Sequence, residues 1–294
     1  MTSDSKATWL AVDVGNSRVK FGLFSDRLEP CPSHTPGHSL PECCGFHTAP
    51  LKSEFDWDSV CAGDISNSSL RGVIVGSNQQ GVDRVVNEWP AALPPPVVIR
   101  DSDAFPIAVD VDEPQRVGLD RLLNAIAANV IRQTSDDAVI VDCGTATTVD
   151  LVSNDGAFCG GAILPGFTLC AKALNRYTEV LPLISLKELF ALPVSEDCPS
   201  PLGRNTQAAI MSGVFWGQIG AVRELTVRLG RFGITQAGSN SGTDSASSIA
   251  DRHRTLLLTG GGSRLLVPYF PEAIHCPYLP LQGLVLAAAA MQDA

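Results

Sequence analysis

The chain has 294 residues and a formal net charge of −10, and 45% of its residues are hydrophobic. That length fits two domains or one large one, with ample material for a core. The acidic balance argues against sequence-independent binding of nucleic acid, which depends on neutralising phosphates with basic side chains.

The opening residues, MTSDSKATW, lack the charged-then-apolar pattern of a secretory signal. The most apolar late segment, LQGLVLAAAAM, is too short to span a bilayer and reads as a buried helix. A cytoplasmic protein with neither membrane nor nucleic acid as partner is therefore expected. Of the nine cysteines, Cys143, Cys159, Cys170 and Cys276 sit in or beside apolar runs and read as buried thiols. No C-x-x-C spacing occurs, and a disulfide framework is not expected in such a chain.

In chain order, 8–14 and 18–25 read as paired strands around Asp13-Val14-Gly15-Asn16-Ser17. Residues 28–66 are rich in Pro, Cys, His and Ser and read as a variable, solvated loop with a short helix or strand that the sequence does not place. Cys31, His34, His38, Cys43, Cys44 and His47 cluster there, but Pro32, Pro36, Gly37 and Pro41 argue against a helix presenting them to a metal. Residues 71–78 read as a buried strand, 81–89 as a short helix, 90–96 as a connector and 97–101 as a strand. Leu119, Leu122, Leu123, Ile126, Ala127 and Val130 then follow helical spacing, with Gly118 and Asp120 at the start. By itself, Asp120 fits equally a first-turn acid facing the helix dipole.

Residues 138–143 and 147–153 form a second hairpin around Asp142-Cys143-Gly144-Thr145-Ala146-Thr147-Thr148. Residues 158–174 read as a strand, a Gly-Pro loop and a helix, and 203–231 as a long helix with Asn205-Thr206 near its start. Residues 237–250 are low-complexity and polar. Residues 255–266 read as strand, triple-glycine turn and helix, a unit able to approach an adenosine or a phosphate. A helix is expected from Leu281 onward.

The two D-x-G hairpins are an internal repeat, and repeats dictate architecture. One such sequence is an ordinary turn. Two, each after an apolar strand, suit a different purpose: a tight turn aims backbone N–H groups at a phosphate, while the strand-end Asp suits a hydrated cation. Two hairpins facing each other would hold a nucleotide's phosphate tail, which makes phosphoryl transfer the leading expectation.

Six short motifs in order resemble the type III pantothenate kinases of the actin/Hsp70/sugar-kinase superfamily. They are D-V-G-N-S (13–17), G-L-D-R (118–121) followed by Asn124, D-C-G-T-A-T-T (142–148), G-G-A-I-L-P-G (160–166), G-R-N-T (203–206) and T-G-G-G (259–262). The resemblance implies an α/β fold of two related actin-like (ribonuclease H-like) halves, 1–116 and 117–294, each a twisted mixed sheet with helices. It implies ATP-dependent phosphorylation of pantothenate to 4'-phosphopantothenate, the first step toward coenzyme A, by a homodimer. Asp120 matches the general base. Asp13, Val14, Gly15, Asn16, Ser17, Arg18, Val19 and Lys20 match the ATP-phosphate site, with Asp13 arranging Mg²⁺ through water. Asp142 matches a site for a monovalent cation, K⁺ or NH₄⁺. Thr145 matches a nucleotide contact, and Gly118, Leu119, Arg121 and Thr206 match contacts to pantothenate.

Two departures stand out: Ser17 replaces a common Thr, and Val111 lies near where an aromatic pantothenate contact is expected. A non-catalytic regulator of the same family, and a related kinase with another small acceptor, are the alternatives.

Overall fold

A computed structural model describes residues 8–30, 39–61, 70–103, 105–133, 136–185, 187–191, 199–238 and 254–293. The chain divides into two compact units. One is Met1–Ile131 with Tyr278–Ala294, the other Arg132–Pro277.

The first unit is built on a five-stranded sheet. β1 (Trp9–Val14), β2 (Arg18–Pro30) and β3 (Ser39–Pro50) are successive antiparallel neighbours, and β4 (Arg71–Gly76) and β5 (Val97–Ile99) add in parallel on the other side of β1. The order is β3-β2-β1-β4-β5. One face carries Leu10, Val12, Val19, Phe21 and Ile74 against Val60 of α1 (Trp57–Val60) and Val82 and Val85 of α2 (Gln79–Asn87). Also in this unit are α3 (Leu119–Ile131) and α7 (Leu279–Asp293), which pack on each other and on strands of the sheet.

The second unit repeats the plan. β6 (Asp137–Cys143), β7 (Ala146–Val152) and β8 (Phe158–Pro165) are antiparallel, and β9 (Arg254–Thr259) and β10 (Ile274–His275) add in parallel beside β6. The order is β10-β9-β6-β7-β8, the same topology read from its other edge. Val139, Val141, Val149 and Leu151 pack against Phe167 and Ala171 of α4 (Phe167–Arg176) and against Ile210, Val214, Phe215 and Ile219 of α6 (Thr206–Gly238). The short α5 (Lys187–Ala191) adds Leu189 to that core. The D-x-G repeat is thus a repeat of fold: both turns join the first and second strands of equivalent sheets, as the two-halved α/β architecture requires.

The structure refines these expectations. Within 28–66, residues 39–50 form the strand that the sequence did not place, at the sheet edge. Pro41 and Pro50 hid it, and an edge tolerates their missing N–H groups. Cys43, Cys44 and His47 lie on this strand, whereas Cys31, His34 and His38 fall outside the described residues, as does most of 237–250. Among the described residues no cluster of His, Cys, Asp or Glu could hold a metal ion.

After β9 the helix is replaced by two short 3₁₀ turns, Ser263–Leu265 and Val267–Tyr269, since Pro268 has no N–H to continue an α-helix. The chain passes from the first compact unit to the second at 131/132, which leaves α3 and α7 together in the first. Gly283 of α7 lets the helices approach so closely that a Cβ there would stand 2.0 Å from the Leu123 carbonyl oxygen of α3. The Gln282 side chain donates to the Pro41 carbonyl at 3.1 Å, tying α7 to β3.

No helix among the described residues is long and apolar enough to cross a membrane. Gly283→Ala gains about 1 kcal/mol of helix propensity but forces backbone apart, an overpacking that costs about 1–3 kcal/mol. A net loss of stability, read as a lower denaturation midpoint, is expected.

Candidate active site

The first hairpin places Asp13 second from the end of β1, 6% exposed and directly across from Lys20 of β2. The Lys20 ammonium lies 2.9 Å from Asp13 Oδ2 and offsets a charge that burial alone would make costly. The turn is tight: the Gly15 N–H donates to the Arg18 carbonyl at 2.9 Å. Asn16, Ser17 and Arg18 face solvent. Arg18 is aimed by Thr48 of β3, whose hydroxyl accepts from its guanidinium at 3.0 Å. Val14 and Val19 have fully buried side chains, so only their backbone is free to meet a ligand.

Asp120 occupies the first turn of α3 and is exposed. Its Oδ1 accepts from the Arg121 N–H at 2.9 Å, folding the carboxylate back over its own helix start. A Cβ on Gly118 would come within 2.6 Å of that oxygen. Glycine at 118 thus permits this orientation of the carboxylate. Behind it, Leu122, Leu123 and Ala125 to Ala128 are buried and fix the helix. Leu119 and Arg121 are partly exposed beside Asp120.

The second hairpin places Asp142 second from the end of β6, the position equivalent to Asp13. Its neighbours differ. Asp142 pairs with Thr148 of β7 on one side and Thr259 of β9 on the other. Directly opposed residues share a sheet face, so a carboxylate and two hydroxyls form one row. Both Thr148 Oγ1 and Thr259 Oγ1 are shielded from solvent without a hydrogen-bond partner, a situation normally avoided inside a protein. Thr145 is exposed at the turn tip. Cys143 is inert: burial first, then the nearby Asp142 charge, pushes its thiol up to about 12.

The Gly-Pro loop is stitched to this turn. The Gly166 N–H donates to the Thr145 carbonyl at 3.1 Å, and a Cβ at 166 would lie 2.5 Å from the same oxygen. Gln218 of α6 fastens the assembly from behind. Its amide donates to the Pro165 carbonyl at 2.6 Å and accepts from the buried Thr147 hydroxyl at 3.0 Å. Thr206 opens α6 and is exposed, while the Asn205 side chain caps the helix by accepting from the Ala208 N–H at 2.8 Å.

Each unit therefore groups its own expected residues: the 13–20 hairpin and the 118–121 helix start in the first, Asp142, Thr145 and Thr206 in the second. Sequence reasoning missed Thr48, Gln218 and the threonine row. Thr148 and Thr259 stood inside quoted motifs, but their convergence on Asp142 depends on the register of β6 with both β7 and the sequence-distant β9. Nothing in the local sequence marks Gln218.

A family model for type III pantothenate kinases matches residues 9–228. The type III pantothenate kinase of Gluconobacter oxydans (strain 621H) is 31% identical over 291 residues, 95% of this chain and 92% of its own. That of Jannaschia sp. (strain CCS1) is 32% identical over 229 residues, 75% of this chain and 79% of its own. A crystal structure of a candidate Baf family transcriptional activator from Campylobacter jejuni superposes with a TM-score of 0.50 at 20% identity, covering 97% of this chain and all of that one, a likeness of fold alone. The family match runs through both hairpins, the Asp120 helix start and the start of α6. On that match the chain belongs to the type III pantothenate kinases, the phosphotransferases that use ATP to phosphorylate pantothenate in the synthesis of coenzyme A.

Proposed function

We propose that Asp120 is the general base of this kinase and that the two hairpins divide the handling of charge. What supports the first assignment above all is the exposed Asp120 carboxylate at a rigid helix start, with a glycine before it that leaves room for its fold-back. An alcohol is too weak an acid for a carboxylate to deprotonate beforehand. Asp120 orients the primary hydroxyl of pantothenate and accepts its proton late, as the γ-phosphoryl group is transferred. Gly118, Leu119, Arg121 and Thr206 bind pantothenate.

The 13–20 turn receives the ATP phosphates through its backbone N–H groups, the exposed Asn16 and Ser17, and the cations Arg18 and Lys20. Thr145 and the triple-glycine turn 259–262 contact the nucleotide. The Asp13 charge is already offset by Lys20. That suits Mg²⁺ held through water better than direct ligation. The metal, when bound, supplies neutralisation of charge on the transferring phosphates.

Asp142 offers the opposite case: one carboxylate flanked by two neutral hydroxyls that lack partners. Few charges among hard oxygen donors suit a monovalent ion, K⁺ or NH₄⁺. A homodimer is supported by exposed apolar side chains on β8, on α4 and just beyond it. Ile163 is 65% exposed, Tyr177 and Val180 each 85%, and Leu183 59%. A cytoplasmic location completes the proposal.

Assays of pantothenate-dependent ADP release test these roles. Asp120→Asn is expected to lower kcat by about 10²–10⁴ with the fold intact; undiminished turnover would remove the base assignment. Gly118→Ala, which displaces the carboxylate without deleting it, is expected to lower kcat by about 10² with ATP affinity unchanged. Thr259→Val removes a hydroxyl that has no partner, so thermal stability should hold or rise. The K⁺ concentration for half activation should increase roughly fivefold, and an unaltered K⁺ response would refute the cation site.

A further inference from the structure

The triple-glycine turn is held by a contact that none of the family motifs contains. Gly260 has φ +86°, and a Cβ there would stand 2.3 Å from Asp142 Oδ1 and 2.7 Å from the Cys143 backbone. The Gly262 N–H donates to the Cys143 carbonyl at 2.9 Å. The turn thus lies directly on the end of β6. The Gly260 carbonyl in turn accepts twice from Ser263: from its N–H at 3.1 Å and from its hydroxyl at 2.7 Å. Ser263 is 1% exposed, and its Oγ lies 2.9 Å from His275 Nε2.

The His275 tautomer sets the direction of this last bond. A serine hydroxyl has one proton; when it goes to the Gly260 carbonyl 2.7 Å away, His275 donates from Nε2. Burial pushes the imidazole pKa down, which favours the neutral ring. His275 is itself fixed: it ends β10, pairs in register with Leu258 of β9, and is followed by the Cys276 N–H donating to the Leu258 carbonyl at 2.8 Å. At the far end of the relay, Gly261 is exposed and a Cβ there would meet nothing within 4 Å, leaving that side of the turn open to a ligand.

We infer that His275 and Ser263 are positioning residues for ATP, a relay from β10 through the Ser263 hydroxyl to the Gly260 carbonyl that holds the glycine turn in its nucleotide-binding shape. The inference rests on the proposed contact between that turn and the nucleotide. Without the relay, binding must supply the ordering of a three-glycine segment, the residue type with most freedom to lose. The effect therefore falls on nucleotide affinity and leaves the chemistry at Asp120 alone.

The test is calorimetric titration of ATP with Mg²⁺ into the full-length wild type, His275→Ala, Ser263→Ala and His275→Gln, together with steady-state kinetics. His275→Ala and Ser263→Ala should bind ATP roughly five- to tenfold more weakly, the size of one lost hydrogen bond. Their KM for ATP should rise by the same factor, with kcat and the KM for pantothenate within about twofold of wild type. His275→Gln should restore ATP binding, because its amide N–H reaches where Nε2–H was. Nitrogen NMR of the His275 ring should show Nε2 protonated and Nδ1 bare.

Unchanged ATP affinity in folded His275→Ala and Ser263→Ala, an equal loss in His275→Gln, or a proton on Nδ1 alone would overturn the relay. Titration of ATP needs no acceptor. A wild type that binds ATP but does not phosphorylate pantothenate would refute the acceptor while the affinities still decide the relay.

Discussion

A carboxylate withdrawn from water near the end of a strand has to be met by a counter-charge, by donors or by a bound ion, and this chain sets an Asp at the equivalent strand position of each half, buried at Asp13 and half-buried at Asp142. At Asp13 the chain itself supplies the partner: Lys20 stands opposite on the neighbouring strand and pairs with it as an ion pair. At Asp142 the corresponding neighbours are threonines, whose oxygens can surround a cation but cannot replace one. Most of what distinguishes the two halves follows from this asymmetry. The sheet order, the antiparallel hairpin and the short turn are common to both. The first turn carries Arg18 and Lys20, and the second sets two threonine hydroxyls beside its carboxylate.

Asp120 answers to a different constraint. It is exposed, it stands at the start of a helix rather than at the end of a strand, and a glycine before it leaves room for its fold-back. In the role proposed for it, a carboxylate that orients a hydroxyl needs accurate aim more than an unusual environment. The packing behind α3 provides that aim.

Much of this was legible in the sequence. The hairpins announced themselves because Asp, Gly and small polar residues after an apolar run serve both as turn formers and as phosphate contacts. The α3 periodicity was equally plain. What escaped was non-local. The proline- and cysteine-rich 39–50 segment reads as irregular until its place at the sheet edge is known. The close approach of Gly283 to Leu123 joins positions far apart in sequence, within the one compact unit that holds both α3 and α7. The same holds for His275, which lacks helical or strand periodicity to mark it and is defined by the serine it reaches.

The second unit is inserted in the first: the chain leaves one unit at Ile131 and re-enters it at Tyr278. During synthesis every residue of the second unit is therefore made before α7 exists. The second unit can complete its core while the first still lacks the helix that covers α3 and touches β1 to β4. Loss of α7, by truncation or by a premature stop, would accordingly strike the half with the first hairpin and Asp120. The segment nearest in sequence to the lesion would keep its own core. Without α7, the half made earliest is the one left unfinished.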